Sequence, residues 1–217
     1  MIIAPSLLAC DFANLESEIK KVSVPGAPWI HVDVMDGHFV PNLTLGAPIV
    51  KKIREKTDLF LDCHLMVTDP HRYFEPFAEA GADMITFHAE ATVPFRKTDK
   101  TLAELKKYDV KRGMAISPDT NLDMLTDYLK ELDMVLLMAV YPGFGGQQFM
   151  DNVLDKARAL REMVSVDFYI ETDGGINMST IAKAAEAGIN VFVAGTAVFA
   201  AENPGQAVQN LLKEAQL

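Results

Sequence analysis

The chain of 217 residues predicts an α/β fold, a TIM (β/α)8 barrel built as a single domain over residues 1–217. Three observations carry that expectation. Eight short, β-branched apolar runs alternate with stretches of helical periodicity, at roughly 25 to 30 residues per repeat. Gly81 and Gly188 stand where helices should stop before the next strand. Polar and glycine-rich segments fall just after the apolar runs, where a barrel places its βα loops. A doubly wound open sheet uses the same alternation and is the competing architecture.

The first strand is expected over residues 2–8, with Ser6-Leu7 at its outgoing end, followed by a helix over 14–22. The second strand, 29–35, leads the chemistry. Alternate side chains of a strand share a face, so His31, Asp33 and Met35 point together, about 6.5 Å apart in succession. Asp36-Gly37 ends that strand in a turn, which removes His38 from the face. A helix over 47–54 leads to the third strand, 59–67, where Asp62, His64 and Met66 share one face. Cys63 points the other way and reads as a buried structural thiol. After a helix over 71–80 comes the fourth strand, 84–88, with His88 and Glu90 near its end, where ordinary hydrogen bonding is the favoured reading and a reach to the mouth the alternative.

The second half continues in the same way. Helices are expected over 101–108, 121–132, 153–164 and 178–187, strands over 112–117, 134–140, 168–173 and 191–195, and a last helix over 204–214.

Composition narrows the function classes. The formal net charge is −10 with no basic run, which argues against nucleic acid or an anionic membrane as partner. The longest apolar run, 134–140, is far short of the roughly 20 residues of a membrane span, and the first ten residues lack a basic leader region. Two cysteines, Cys10 and Cys63, form no disulfide framework, so a reducing, cytoplasmic location is expected.

Strand ends at the barrel mouth select the candidate residues. His31, Asp33, His64 and Asp173 come from three strands and would meet there, and two imidazoles with two carboxylates suit Zn²⁺, with Mn²⁺, Fe²⁺ and Co²⁺ also accommodated. Asp62 reads either as a supporting partner of that set or as part of a buried ion pair. Gly143-Phe144-Gly145-Gly146, Gly174-Gly175 and Gly195-Thr196 follow three adjacent late strands, where barrels bind phosphate through backbone N–H groups. No Lys or Arg occurs over 134–155, 170–182 or 191–212, so backbone dipoles would hold the dianion. Met35, Met66 and Met138 are candidates for a water-excluding floor, with plain core packing as the equal alternative.

Ala4-Pro5-Ser6-Leu7-Leu8, the run from His31 to Asn42, Asp62-Cys63-His64-Leu65-Met66, Pro142 to Gln147 and Asp173-Gly174-Gly175-Ile176 together resemble the ribulose-phosphate 3-epimerase family, in the family's order from residue 4 to about residue 200. The resemblance implies one divalent metal ion per chain, usually zinc, on His31, Asp33, His64 and Asp173. It implies Asp33 and Asp173 as the acid/base pair. It also implies substrate contacts from Ser6, His64, Gly143, Phe144, Gly145, Gly146, Asp173, Gly174, Gly175, Gly195 and Thr196. The implied reaction interconverts D-ribulose 5-phosphate and D-xylulose 5-phosphate, a step of the pentose phosphate pathway, through a metal-stabilised cis-enediolate. Epimerising a carbon beside a ketone needs a proton removed on one face and returned on the other, which two opposed carboxylates supply. The implied partner is a small sugar phosphate, and a homo-oligomer is compatible.

An allulose-6-phosphate 3-epimerase is the nearest alternative, a metal-dependent hydrolase a more distant one, and a sugar-phosphate-binding barrel without turnover the non-enzymatic one. Two positions depart from the family pattern: Tyr141 before Pro142, where Asn or an acidic residue is more usual, and Ser117-Pro118-Asp119-Thr120-Asn121 in place of the commoner Asn-Pro-x-Thr-Pro.

Overall fold

The structure, a computed structural model, describes residues 1–92 and 98–216. Among these, eight parallel strands follow one another as β1 (Ile2–Pro5), β2 (Trp29–Met35), β3 (Phe60–Met66), β4 (Met84–His88), β5 (Lys111–Ile116), β6 (Met134–Met138), β7 (Tyr169–Asp173) and β8 (Val191–Ala194). They pair in the order β1-β8-β7-β6-β5-β4-β3-β2. A parallel bridge between Ser6 and His31 joins the two ends of that order. The sheet therefore curls into a nearly closed barrel, which excludes the open doubly wound alternative.

The outer ring comprises α1 (Leu15–Val22), α2 (Ala47–Arg54), α3 (Phe74–Glu79), α4 (Thr98–Leu105), α5 (Asp123–Thr126), α6 (Asn152–Met163), α7 (Ile181–Glu186), α8 (Thr196–Phe199) and α9 (Pro204–Glu214). None of the described helices is long and apolar enough to cross a membrane. In α6 the buried residues are Val153, Leu154, Ala157 and Leu160, spaced as one stripe of a 3.6-residue helix. They pack in one cluster with Val135, Leu137 and Ile170 from the outward faces of β6 and β7. Burial of each Leu or Val of such a stripe contributes about 1.5–3 kcal/mol.

Several bounds differ from the sequence expectation. β1 stops at Pro5 rather than continuing to residue 8. Ser6 Oγ accepts a hydrogen bond from Leu8 N at 3.2 Å, turning residues Leu7–Ala9 into a 3₁₀ turn. The helix expected over 121–132 divides into α5 and a 3₁₀ turn, Leu129–Glu131. α7 begins at Ile181 rather than 178, because Thr180 Oγ1 donates to Gly175 O at 2.9 Å and accepts from Asn177 N at 3.0 Å, locking the preceding residues in a turn. The short α8, directly after β8, was not expected from periodicity; four residues are too few to show one.

Parity decides what lies inside the barrel. At its N-terminal end Trp29 stacks on Phe60 with ring centroids 4.4 Å apart and meets Tyr169 edge-on at 5.0 Å, an aromatic plug completed by Ala4, Met84, Met134 and Val191. One step up each strand stand His31, Asp62, Thr86 and Glu171, all fully buried. One further step brings Asp33, His64 and Asp173 to the C-terminal mouth. The interior thus changes from apolar to ionisable along the barrel axis.

Candidate metal and substrate site

β2 and β3 pair with His31 opposite Asp62 and Asp33 opposite His64. That register sets three of the four expected ligands beside one another, and β7 delivers Asp173 from across the mouth. One ligand atom from each of His31, Asp33, His64 and Asp173 lies within 4.8 Å of all the others. His31 Nε2 and His64 Nδ1 each stand 3.4 Å from Asp33 Oδ1. Both nitrogens are buried and, among the described residues, have no hydrogen-bond partner. Two ring nitrogens left without a partner in a protein interior are costly unless something binds them. With two carboxylates beside them, the four residues could hold a divalent metal ion, and a nitrogen–oxygen donor set of this kind suits Zn²⁺.

Around these four, the network is asymmetric. Ser6 Oγ donates to Asp33 Oδ2 at 2.6 Å. His31 Nδ1 is 2.7 Å from Asp62 Oδ2, so Asp62 supports a candidate ligand rather than pairing elsewhere. Thr44 Oγ1 donates to Asp33 O at 2.6 Å and accepts from Met35 N at 3.0 Å, pinning the end of β2 where the strand turns away.

Charge follows these contacts. Burial alone would raise the Asp33 carboxyl, but His31 and His64 beside it hold it far below the ordinary carboxylate range. At Asp173 the balance goes the other way: burial, and then the charge of Asp33, outweigh the opposing pull of His31 and push it up to about 7. Burial also opposes a proton on His31, yet Asp33 and Asp62 outweigh it and lift that imidazole well above its usual range. His64 goes down to about 4, from burial first and from its imidazole neighbours His88 and His31, against the pull of Asp33.

The floor opens into a cavity of about 590 Å³. Of the candidate substrate residues, Ser6, Asp173, Gly143, Phe144, Gly145, Gly146, Gly174, Gly175, Gly195 and Thr196 line it, while His64 lies fully buried beneath the lining. Met35, Met66 and Met138 do line the cavity, each no more than 5% exposed. Among the described residues no Lys or Arg reaches it. At Gly174, φ is +114° and an added Cβ would stand 2.5 Å from Val140 Cγ2. At Gly175, φ is +66° and a Cβ would meet Phe149 N at 2.4 Å. Only glycine permits both the left-handed backbone and this closeness.

Cys63 is buried on the outer face as expected, its thiol pushed up by burial. His38 is exposed and folds back on its own loop, 2.9 Å from Asp36 O.

Some participants were not legible. Glu171 is fully buried among His31 and Asp62, with both carboxylate oxygens unpartnered among the described residues, and burial and Asp62 push it up to about 8. Asp173 was selected by its place at the strand end; the parity applied to residues 29–35 and 59–67, extended to β7, would also have pointed to Glu171, two residues earlier on the same face. Asn42 Nδ2 donates to Gly143 O at 2.6 Å and so ties the turn after β2 to the loop after β6. No local pattern announces a contact across 101 residues. The two departures from the family pattern meet: the Tyr141 hydroxyl donates to the Asp119 carboxylate.

Comparison with solved structures defines the class first. 3-Hexulose-6-phosphate synthase from Salmonella typhimurium superposes with a TM-score of 0.74 at 17% identity, covering 100% of this chain and 99% of that one. At that identity the likeness shows the (β/α)8 fold alone. The sequence goes further. The model of the ribulose-phosphate 3 epimerase family matches residues 2–199. Ribulose-phosphate 3-epimerase of Mycobacterium bovis is 48% identical over 217 residues, 99% of this chain and 93% of that protein. The cytoplasmic isoform of ribulose-phosphate 3-epimerase from Oryza sativa subsp. japonica is 45% identical over 218 residues, covering 99% and 94%. The chain belongs to the ribulose-phosphate 3-epimerase family, a family of isomerases acting in carbohydrate metabolism.

Proposed function

We propose that this chain interconverts D-ribulose 5-phosphate and D-xylulose 5-phosphate by two-base proton transfer at C3, a step of the pentose phosphate pathway carried out in the cytoplasm. The observation that carries the reading is the convergence of His31 Nε2, His64 Nδ1 and the Asp33 and Asp173 carboxylates at the floor of a cavity whose lining includes Gly143, Gly145, Gly146, Gly174, Gly175 and Gly195.

Phosphate recognition falls to Gly143–Gly146, Gly174, Gly175, Gly195 and Thr196, whose N–H groups offer partial positive charge in a cavity that, among the described residues, no Lys or Arg lines. With the phosphate anchored there, the sugar reaches back to the floor. One carboxylate takes the C3 proton, and the electron pair moves into the ketone to give a cis-enediolate. The carboxyl on the opposite face then returns a proton to C3. Asp33 and Asp173 are the pair in these roles, exchanged when the reaction runs in reverse. Their surroundings push their protonation apart, as an acid/base pair requires. A divalent ion held by His31, Asp33, His64 and Asp173, Zn²⁺ by choice of donors, supplies Lewis-acid stabilisation of negative charge developing on the substrate oxygens. Met35, Met66 and Met138 keep water from the reacting carbon.

The test is incubation with D-ribulose 5-phosphate in D₂O. Deuterium should enter at C3 together with formation of the epimer. Product formation without C3 exchange would replace epimerisation with another reaction, and kcat/KM on a hexulose 6-phosphate measured alongside decides chain length.

A further inference from the structure

Beyond the four candidate ligands, a line of hydrogen bonds runs outward from His64 through β4. His64 Nε2 lies 2.9 Å from His88 Nε2, and the rings stack with centroids 5.0 Å apart. His88 Nδ1 lies 3.1 Å from Glu90 Oε2. Glu90 is itself held, since Oε1 accepts from Ser117 N at 2.7 Å and from the Thr120 hydroxyl. The loop that provides these donors is fixed in turn by Lys156, whose Nζ donates to Pro118 O and Thr120 O, each at 2.6 Å.

We infer that His88 and Glu90 are positioning residues which fix His64 in the one tautomer that leaves Nδ1 free for a metal ion. The inference rests on the metal reading of the site. The proton assignment closes from the outside inward. Glu90 accepts from both Ser117 and Thr120, so it is a carboxylate offering only lone pairs to His88. A neutral His88 then carries its proton on Nδ1 and donates it, which leaves His88 Nε2 as an acceptor. His64 must therefore carry its proton on Nε2, and its Nδ1, aimed at Asp33 Oδ1 from 3.4 Å, presents a lone pair. His31 reaches the same condition in one step, through Asp62 at 2.7 Å. The two imidazoles thus have carboxylate support of different lengths: one direct, one relayed through a second histidine. Such supporting partners typically contribute 10- to 100-fold in metal affinity.

The purified full-length protein, stripped with a chelator and titrated with Co²⁺, tests this through affinity and the visible d–d band. His88→Phe keeps the ring stacked between His64 and Phe39 but removes the acceptor for His64 Nε2–H. Its Kd for Co²⁺ should weaken by about 10- to 100-fold with an altered band, and Glu90→Gln should weaken it about tenfold. Thermal midpoints of the metal-free variants should stay close to that of the parent. Thr120→Val, which removes one of the two hydrogen bonds that Glu90 Oε1 accepts, should weaken Co²⁺ binding less than Glu90→Gln does. Parent-like affinity and band in both His88→Phe and Glu90→Gln would overturn the inference, as would a loss in Thr120→Val larger than that in Glu90→Gln, which would assign the line to loop anchoring. Should His88→Phe fail to fold, Glu90→Gln decides by the same criteria. A parent protein that binds neither Co²⁺ nor Zn²⁺ would instead remove the metal reading itself, and this inference with it.

Discussion

The two sides of the cavity are made of different material. On the β2–β3 side, His31, Asp33 and His64 are buried side chains, each gripped by another: Ser6 on Asp33, Asp62 on His31, His88 on His64. On the β6–β8 side the wall is rich in glycine, with Gly174 and Gly175 drawn tight against Val140 and Phe149, and Asp173 as the one carboxylate there among the described residues. The difference teaches how one cavity serves a substrate with two unlike ends. Under the proposed function, proton and metal chemistry needs side chains whose charge is set by neighbours, whereas a dianion in a chain of net charge −10 would be met by N–H dipoles that carry no titratable group.

The largest effect should come from the side-chain wall. Asp33→Asn should lower kcat by about 10⁴-fold or more, with unchanged circular dichroism, because a base and a ligand are lost together. Asp173→Asn should be comparably slow, but in D₂O each variant should exchange the C3 hydrogen of only one epimer, and a different one in each. Parent-like exchange of both epimers in either variant would break the two-base comparison.

Next in size is the pH dependence of metal binding. Asp173, raised to about 7, and His31, raised well above the imidazole range, must lose protons to act as ligands, whereas Asp33 is already ionised. Below about pH 7 the Co²⁺ affinity of the stripped protein should therefore fall by about tenfold or more per pH unit. A titration flat between pH 5 and pH 7, about a hundredfold window on that slope, would show that Asp173 is not a ligand.

The backbone wall should fail differently. Gly174→Ala puts a Cβ against Val140 and strains a φ of +114°, so the thermal midpoint should fall by the equivalent of about 1–3 kcal/mol. KM for the sugar phosphate should rise about tenfold if one of the phosphate hydrogen bonds is lost. A drop in kcat at unchanged KM would place Gly174 with the chemistry instead. The smallest effect is that of salt. With no Lys or Arg lining the cavity among the described residues, KM should stay within about twofold between low and physiological ionic strength, whereas a cationic phosphate site would weaken markedly.

Much of this was readable before folding. Parity along residues 29–35 and 59–67 placed His31, Asp33 and His64 on inward faces, and the strands pair in the register that makes them neighbours. Asp173 was readable from its place at the end of β7, before Gly174-Gly175, where a barrel sets its functional residues. Strand ends were less so. Whether the chain after Pro5 continues or turns depends on Ser6 capping Leu8, and Ser6 also reaches Asp33, which is 27 residues away. His88 and Glu90 look, by local pattern alone, like ordinary hydrogen-bonded residues. Their place behind His64 depends on the approach of β3 to β4 and of Glu90 to the Ser117–Thr120 loop, 27 and 30 residues on.

By itself, the sequence determined the period of the fold, the faces of its strands and the residue types gathered at its mouth, since hydrophobic alternation and glycine placement are local properties of the chain. Only the tertiary structure decided which nitrogens are left bare, which carboxylate is held ionised and which is pushed toward protonation, and how Asn42 and Tyr141 tie the loops above them. These depend on distances between strands far apart in the chain, and pKa values and tautomers are set by whatever those strands bring within a few ångströms.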